Sequence, residues 1–428
     1  MEKLYQYLWK SKMFGRTLRE SGGAEVEVID PGRLNTDAGP DFFNSKIKVD
    51  GVEWAGNVEI HVRASDWQRH GHHKDRAYDG IILHVVGISD CRVRRPDGSV
   101  IPQVEVTMPE DFFRTFASLS SDLDGVKCKD SLMSLGRLQI TDWLETLAVE
   151  RLQSKAQRVM DIYNMCGNDW EQTCFIILAR SMGFGLNGDP FEMLARSIPL
   201  KYLHHHSDNP LQLQALLFGQ AAMLDSSLHI FDEYYQLLCR EYYFLARKYG
   251  LHPMRQGLWK YSRTRPQNFP HRRIAFLSKA CEGGFSLFSK IISSNGDPEK
   301  MRDLFSWCLD GYWHTHFSFD VDARAISDTL SDMSVSLLMI NVAAPLLYAS
   351  GALRGDVDLA ERGQLLLEKL PPENNGVVRQ WTSLGMQAGN AWRSQALLHL
   401  RKEYCDSRKC LYCRFGNNLL RKASAVNL

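Results

Sequence analysis

The chain has 428 residues, enough to bury a full core and to form two or three domains. A hydrophobic fraction of 44% and a charged fraction of 24% are ordinary for a globular protein, and a formal net charge of +1 excludes bulk electrostatic capture of polyanions while leaving room for a local basic groove. The opening MEKLYQYLWKSKMFG mixes charges with aromatics and has no secretory apolar run, and ten cysteines without an export signal predict a reducing, cytoplasmic setting and no membrane partner.

In chain order, Leu4, Tyr7, Leu8 and Trp9 recur on one side of a first helix within residues 1 to about 20. From residue 24 to about 106 the texture is that of short strands between turns: AEVEVID, FFNSKIKV, VEWAGNVEIHV, GIILHVVGI, CRVRR and, after the hairpin signal Pro96-Asp97-Gly98, VIPQVEV. One helix followed by such strands predicts an α+β domain over residues 1–125, with a mixed, largely antiparallel sheet. The polar link DLDGVKCKDSLMS ends it. Residues 126–428 then carry apolar residues at three- and four-residue spacing and predict a mostly α-helical domain. Its most apolar stretch, residues 335–349, is interrupted by Asn341 and Pro345 and reads as a buried helix too short to span a membrane. Gly183, Gly185 and Gly188 fit G-x-G-x-x-G, but no strand precedes them, so a helix–helix turn is expected.

The stretch most suggestive of chemistry is residues 35–61, NTDAGPDFFNSKIKVDGVEWAGNVEIH. Asn35, Asp37, Gly39 and Pro40 suit a loop, Asp41 stands where a strand begins, and Glu59 and His61 share one face of the next strand. If the two strands are neighbours, Asp41 lies beside Glu59. Two carboxylates brought together on an apolar sheet cost several kcal/mol, on the order of the desolvation of an ion, unless a cation or a proton sits between them. The plain alternative is a hydrogen-bonded polar face on a half-exposed sheet.

Pro40-Asp41 followed by Glu59-Ile60-His61 resembles the PD-(D/E)XK nuclease superfamily. The resemblance implies a restriction-endonuclease-like fold, a helix on a mixed sheet whose second and third strands carry the acids. It also implies that Asp41 and Glu59 hold Mg²⁺ or Mn²⁺ and that His61, where lysine is usual, assists the attacking water. Glu2 on the first helix is a further candidate acid, outside the matched motif. Three structural expectations follow. The two acid side chains converge within about 4 to 6 Å, one of them has a raised pKa in the metal-free protein, and Glu59 and His61 face an open basic groove. Asn35, Asp37, His70 and His72 are further candidates for lining the site. A zinc hydrolase built on His61, His70 and His72 is a third reading, although a His-x-His loop is a weak signal.

Two basic clusters are candidates for nucleic-acid phosphate. Arg63 and Arg69 follow the Glu59 strand, and Arg265, Asn268, Arg272 and Arg273 lie in RTRPQNFPHRRIAFL, where prolines present a loop at a helix start. Solvated loops, or capping of the next helix, would explain the same residues. Near the end of the chain, YCDSRKCLYC supplies Cys405, Cys410 and Cys413 within nine residues, a density that suits zinc or a [4Fe-4S] cluster better than packing. A fourth ligand is needed, Cys128 in the interdomain link or the nearer His399.

PGRLNTDAGPDFF, GNVEIHVRASDW, YDGIILHVV, RPQNFPHRRI and YCDSRKCLYC together make the chain similar to an uncharacterised bacterial, Bacteroidetes-type domain-of-unknown-function family, a resemblance that brings no activity with it. The expectation is therefore a metal-dependent nuclease or nuclease-like protein. The alternative is a non-catalytic nucleic-acid-binding or protein-interaction module that keeps a degenerate nuclease fold.

Overall fold

The structure is a computed structural model. It describes the chain apart from residues 15–17, 36, 96, 109, 121–124, 133–134, 226–229, 231, 263, 265, 323–325 and 426–428, and describes the backbone alone at 120, 130, 131, 266, 424 and 425. Two compact units result, Met1–Leu135 with Arg401–Leu428, and Gly136–Leu400. A sheet-rich N-terminal region and a mostly helical remainder are thus what the sequence pattern predicted. The division differs from the expected one at residue 125, because the last residues of the chain return to the sheet unit.

In the sheet unit, α1 (Glu2–Lys10) buries Leu4, Tyr7, Leu8 and Trp9, the side identified by their spacing. The strands are β1 (Leu18–Arg19), β2 (Glu25–Asp30), β3 (Arg33–Leu34), β4 (Phe42–Val49), β5 (Val52–Arg63), β6 (Ile81–Ile88) and β7 (Gln103–Glu105). They lie in the order β1-β2-β4-β5-β6-β7, with β3 on β4. Pairing is antiparallel as far as β5 and parallel for β5–β6 and β6–β7. CRVRR contributes only a bridge from Arg94 to Val100 instead of a strand. The two ends of the sheet approach each other, since Glu20 bridges Val104 and the Ser21 amide donates to the Gln103 carbonyl at 2.9 Å.

The core of this unit gathers Val26, Phe42, Ile47, Val58, Ile60, Leu83, Val85 and Val104. Gly87 in β6 lets α1 lie on it, because a Cβ there would stand 2.3 Å from the Tyr5 hydroxyl. Between β5 and β6 the chain forms a strap, residues 65–78, that begins with the short helix α2 (Asp66–Arg69). After β7 come α3 (Glu110–Ser120) and the short α4 (Lys129–Leu132).

The helical unit is built around α5 (Arg137–Met165) and α6 (Trp170–Met182), the latter buried along most of its length and capped by Asp169, which accepts from the amides of Glu171 and Gln172. Met182 ends that helix and the next begins at Gly188, so the three glycines do form a helix–helix turn. The apolar stretch around residue 340 departs from expectation. Asn341 and Pro345 do not interrupt it, and residues Asp332–Arg354 run as one helical element whose length and composition would fit a membrane span. A π-helical turn, Met339–Ala343, precedes Pro345 and absorbs its missing N–H. In this structure 78% of its most apolar window is buried, as in a core helix.

Candidate metal centre

A bulge decides whether Asp41 meets Glu59. Along most of the β4–β5 ladder, Ser45 pairs with Gly56 and Ile47 with Trp54, a register that would carry Asp41 opposite Ile60. The register slips by one between Phe42 and Ser45, where Asn44 takes a positive φ of 57°, and Phe42 pairs instead with Val58. Asp41 therefore lies opposite Glu59, on the same face, which a one-residue slip would reverse. Hydrogen bonds lock the arrangement. The Asp41 amide donates to Glu59 Oε2 at 3.0 Å, the Ile60 amide to Asp41 Oδ2 at 3.0 Å, and Gln6 Nε2 of α1 to Asp41 Oδ1 at 2.7 Å.

Burial pushes the Asp41 carboxyl up to about 8, with the neighbouring Glu59 and then Glu2 adding to the rise against hydrogen bonds that oppose it. Glu2 is also raised, chiefly by burial. Its Oε1 lies 3.9 Å from His61 Nε2, and Glu59 Oε1 lies 3.6 Å from the same nitrogen and 3.2 Å from His72 Nε2. His70 completes the group, for the ring nitrogens of His61, His70 and His72 come within 4.8 Å of one another. Three acids and three histidines thus surround one small volume.

A chain of buried amide and imidazole groups sets the tautomer of His61. Gln103 Nε2 donates to Ser89 Oγ at 2.7 Å and to the Cys91 carbonyl at 3.1 Å, so its Oε1 faces His84 Nδ1, 3.1 Å away, and that nitrogen carries the proton. Burial pushes His84 down to about 4 and His61 to about 2, so both rings are neutral near pH 7. His84 Nε2 then accepts from His61 Nδ1 at 2.8 Å. The remaining nitrogen, His61 Nε2, holds a lone pair, is buried, and has no hydrogen-bond partner among the described residues. It faces two carboxylate oxygens. Acceptors turned on one another repel unless a cation, a proton or a donating water stands between them.

Some expectations need correction. Glu59 and His61 do not face an open groove, since their exposures are 4% and 0%. The strap covers them, with Trp67 edge-on to His61 and Tyr78 stacked on His72 at 3.9 Å. Access to solvent comes through Glu2, whose side chain is 40% exposed, and through the exposed His70. A neutral His61 pushed so far down is also a poor proton acceptor near pH 7, and its geometry suits a ligand or a hydrogen-bond acceptor better than a base. Asn35 does not line the cluster through its side chain. Its Nδ2 donates to the carbonyls of Asp37, Ala38 and Pro40, which shapes the loop delivering Asp41, and Asp37 is exposed.

The basic residues separate into two kinds. Arg63 and Arg69 are exposed, Arg63 at 4.0 Å from Asp90 and Arg69 at 2.8 Å from Asp66. Arg272 and Arg273 are not presented at all, at 1% and 3% exposure. Arg272 donates to the carbonyls of Trp313, His316 and Ser327, while Arg273 donates to Asn268 and lies over the Phe184 ring at 4.2 Å. Their burial removes them from any surface that could meet a nucleic-acid backbone. Asn268 is exposed but engaged by Arg273, and Arg265 lies outside the described residues. His399 belongs to the helical unit, where its Nε2 is 3.3 Å from Glu150.

Sequence reasoning missed Gln6 and Gln103. Gln6 follows Glu2 by four residues and so shares its face of α1, a signal that was present. Nothing local marks Gln103, which acts through His84.

Fold and site together define a protein of two units, one helical and one built on a sheet that carries a largely buried acid–histidine cluster. The chain belongs to the family described as "Protein of unknown function (DUF2851)", whose model matches residues 2–376, a span that includes this cluster and stops short of Cys405. Comparisons with curated proteins and with solved structures find no match.

Proposed function

We propose that the sheet unit is a metal-dependent nuclease that hydrolyses phosphodiester bonds at the cluster of Glu2, Asp41, Glu59 and His61. One observation carries this reading: the buried, unprotonated Nε2 of His61 faces the carboxylates of Glu2 and Glu59 at 3.9 and 3.6 Å, with Asp41 hydrogen-bonded to the Glu59 backbone neighbour, Ile60. Such a set of acceptors matches a hard divalent cation, Mg²⁺ or Mn²⁺, with the nitrogen donor favouring Mn²⁺. The order of elements supports the restriction-endonuclease-like assignment as well, since α1 packs on a mixed sheet whose β4 and β5 bring the two acids together.

In this reading Asp41 and Glu59 would hold the cation, which would stabilise charge on a bound phosphate and lower the pKa of its water. Gln6 and the Ile60 amide orient Asp41. The Asp41 amide restrains Glu59 Oε2, leaving Oε1 turned toward His61 and His72. His61 would offer its lone pair to the cation or to a water, remaining neutral. Arg63 and Arg69, both exposed, are the side chains suited to backbone phosphate near the strap.

The test is incubation of the full chain with single- and double-stranded DNA and RNA, with and without Mn²⁺ or Mg²⁺. Metal-dependent cleavage that falls at least about 100-fold in Asp41→Ala supports the proposal. Absence of cleavage under every condition, or cleavage unchanged in the variant, removes it. Burial of Glu59 and His61 favours a second reading, a module that binds nucleic acid or another protein at a site that no longer turns over. Salt-dependent nucleic-acid binding without cleavage would be its signature.

A further inference from the structure

Four thiols from distant parts of the chain meet in the sheet unit. Cys128 lies just before α4. Cys405 ends a π-helical turn, Leu400–Cys405, and Cys413 immediately precedes the helix Arg414–Ala425. That helix packs on α3, and Cys128 and Cys410 border a core cluster containing Leu4, Leu8, Phe112, Leu119 and Leu420. Gly416 permits the close return, because a Cβ there would stand 2.4 Å from the Cys410 carbonyl oxygen. Cys128, Cys405, Cys410 and Cys413 consequently line a single cavity whose wall Leu119 completes.

None of the four forms a disulfide. Packing explains them poorly. They gather at one buried cavity rather than being dispersed through the core. Cys413 stands at the start of a helix of twelve residues. Spacing bears on what the cavity holds. Four thiolates around one zinc ion at about 2.3 Å stand only about 3.8 Å apart. Among the described residues, however, the histidine trio of the sheet is the only set of three ligand side chains lying within 4.8 Å of one another. A cluster in which each of four irons takes one thiolate holds its sulfurs farther apart than one ion does.

We propose that Cys128, Cys405, Cys410 and Cys413 are the four ligands of one iron–sulfur cluster, which clasps the C-terminal segment onto the sheet unit. The proposal stands independently of the nuclease reading, for it uses no residue of the acid–histidine cluster. Binding releases the thiol protons, so it strengthens with rising pH.

The full chain, purified without oxygen, is assayed for iron, acid-labile sulfide and zinc, and its visible spectrum is recorded. About four irons and four sulfides per chain with a broad visible band are expected. Cys128→Ser and Cys413→Ser should each lose most of that iron and absorbance, whereas Cys308→Ser, an exposed thiol in the helical unit, and Asp41→Ala should keep both. One zinc per chain, no metal in the wild type, or iron retained in both Cys128→Ser and Cys413→Ser overturns the proposal. Wild-type metal content decides the matter even if a serine variant fails to fold.

Discussion

Arg272 in the helical unit and Glu59 in the sheet unit are both almost sealed from solvent, at 1% and 4% exposure, yet they meet different surroundings. Arg272 donates to three backbone carbonyls, and Lys155, elsewhere in the same unit, donates to Asn341 at 2.8 Å. Their hydrogen-bond partners are neutral oxygens, Asp328 and Glu373 add opposite charge, and their work is to hold chain segments together. Glu59 instead faces another carboxylate's backbone, two histidines and a lone pair, and Asp41 beside it is driven toward its neutral form. Burial alone therefore does not mark a functional charge. What marks it is a buried group whose neighbours have the same electrostatic demand, so that something outside the chain must supply the missing partner.

Four experiments sharpen this contrast. Arg272→Met should be the most damaging, at about 3 to 5 kcal/mol in urea unfolding, because it strands the carbonyls of Trp313, His316 and Ser327. Arg272→Lys should not restore the loss, as one ammonium cannot span the sites a planar guanidinium reaches. A loss under about 1 kcal/mol would show that the carbonyls find other partners and that the arginine is not a clamp.

Gln103→Leu tests the sheet unit by the opposite route, since it frees the His84 tautomer without touching the cluster. Mn²⁺ affinity measured by calorimetry should drop about 10- to 100-fold. Unchanged affinity would mean that the Gln103–His84–His61 chain does not orient a ligand.

The third experiment is stability against pH in chelator. Asp41, raised to about 8, keeps its proton in the folded chain but loses it near 3.8 when unfolded, so its contribution falls as pH rises between those values. His61 and His84, lowered to about 2 and about 4, act oppositely, because the unfolded chain binds their protons below 6.5 and stability rises with pH up to that point. Between pH 6.5 and 8 Lys155, lowered to about 7 by burial, acts against Asp41, since the unfolded chain keeps a lysine proton that the folded chain gives up. The Asp41 contribution is therefore read as the difference between the wild type and Asp41→Asn, and the wild type should lose about 1.5 kcal/mol relative to the variant across that window. Parallel curves for the two proteins would remove Asp41 as the source. The smallest effect belongs to Arg69→Ala, whose exposed pair with Asp66 should contribute no more than about 0.5 kcal/mol to thermal unfolding.

Local pattern carried much of this protein. The buried side of α1 follows from Leu4, Tyr7, Leu8 and Trp9, and β4, β5 and β6 follow from alternation and apolar runs, because periodicity reports which face meets a core. The nine-residue Cys405–Cys413 spacing and the isolation of Cys128 were equally visible. Tertiary structure decided the rest. Whether Asp41 faces Glu59 or Ile60 turns on a one-residue bulge at Asn44, which no spacing in the sequence reveals. That Arg272 and Arg273 lie inside is settled by carbonyls more than forty residues away in the case of Arg272, although the two arginines look the same on paper as the exposed Arg63 and Arg69. Composition and period specify what a segment prefers, whereas register, long-range partners and the closure of a strap over a strand depend on distant groups competing for the same space.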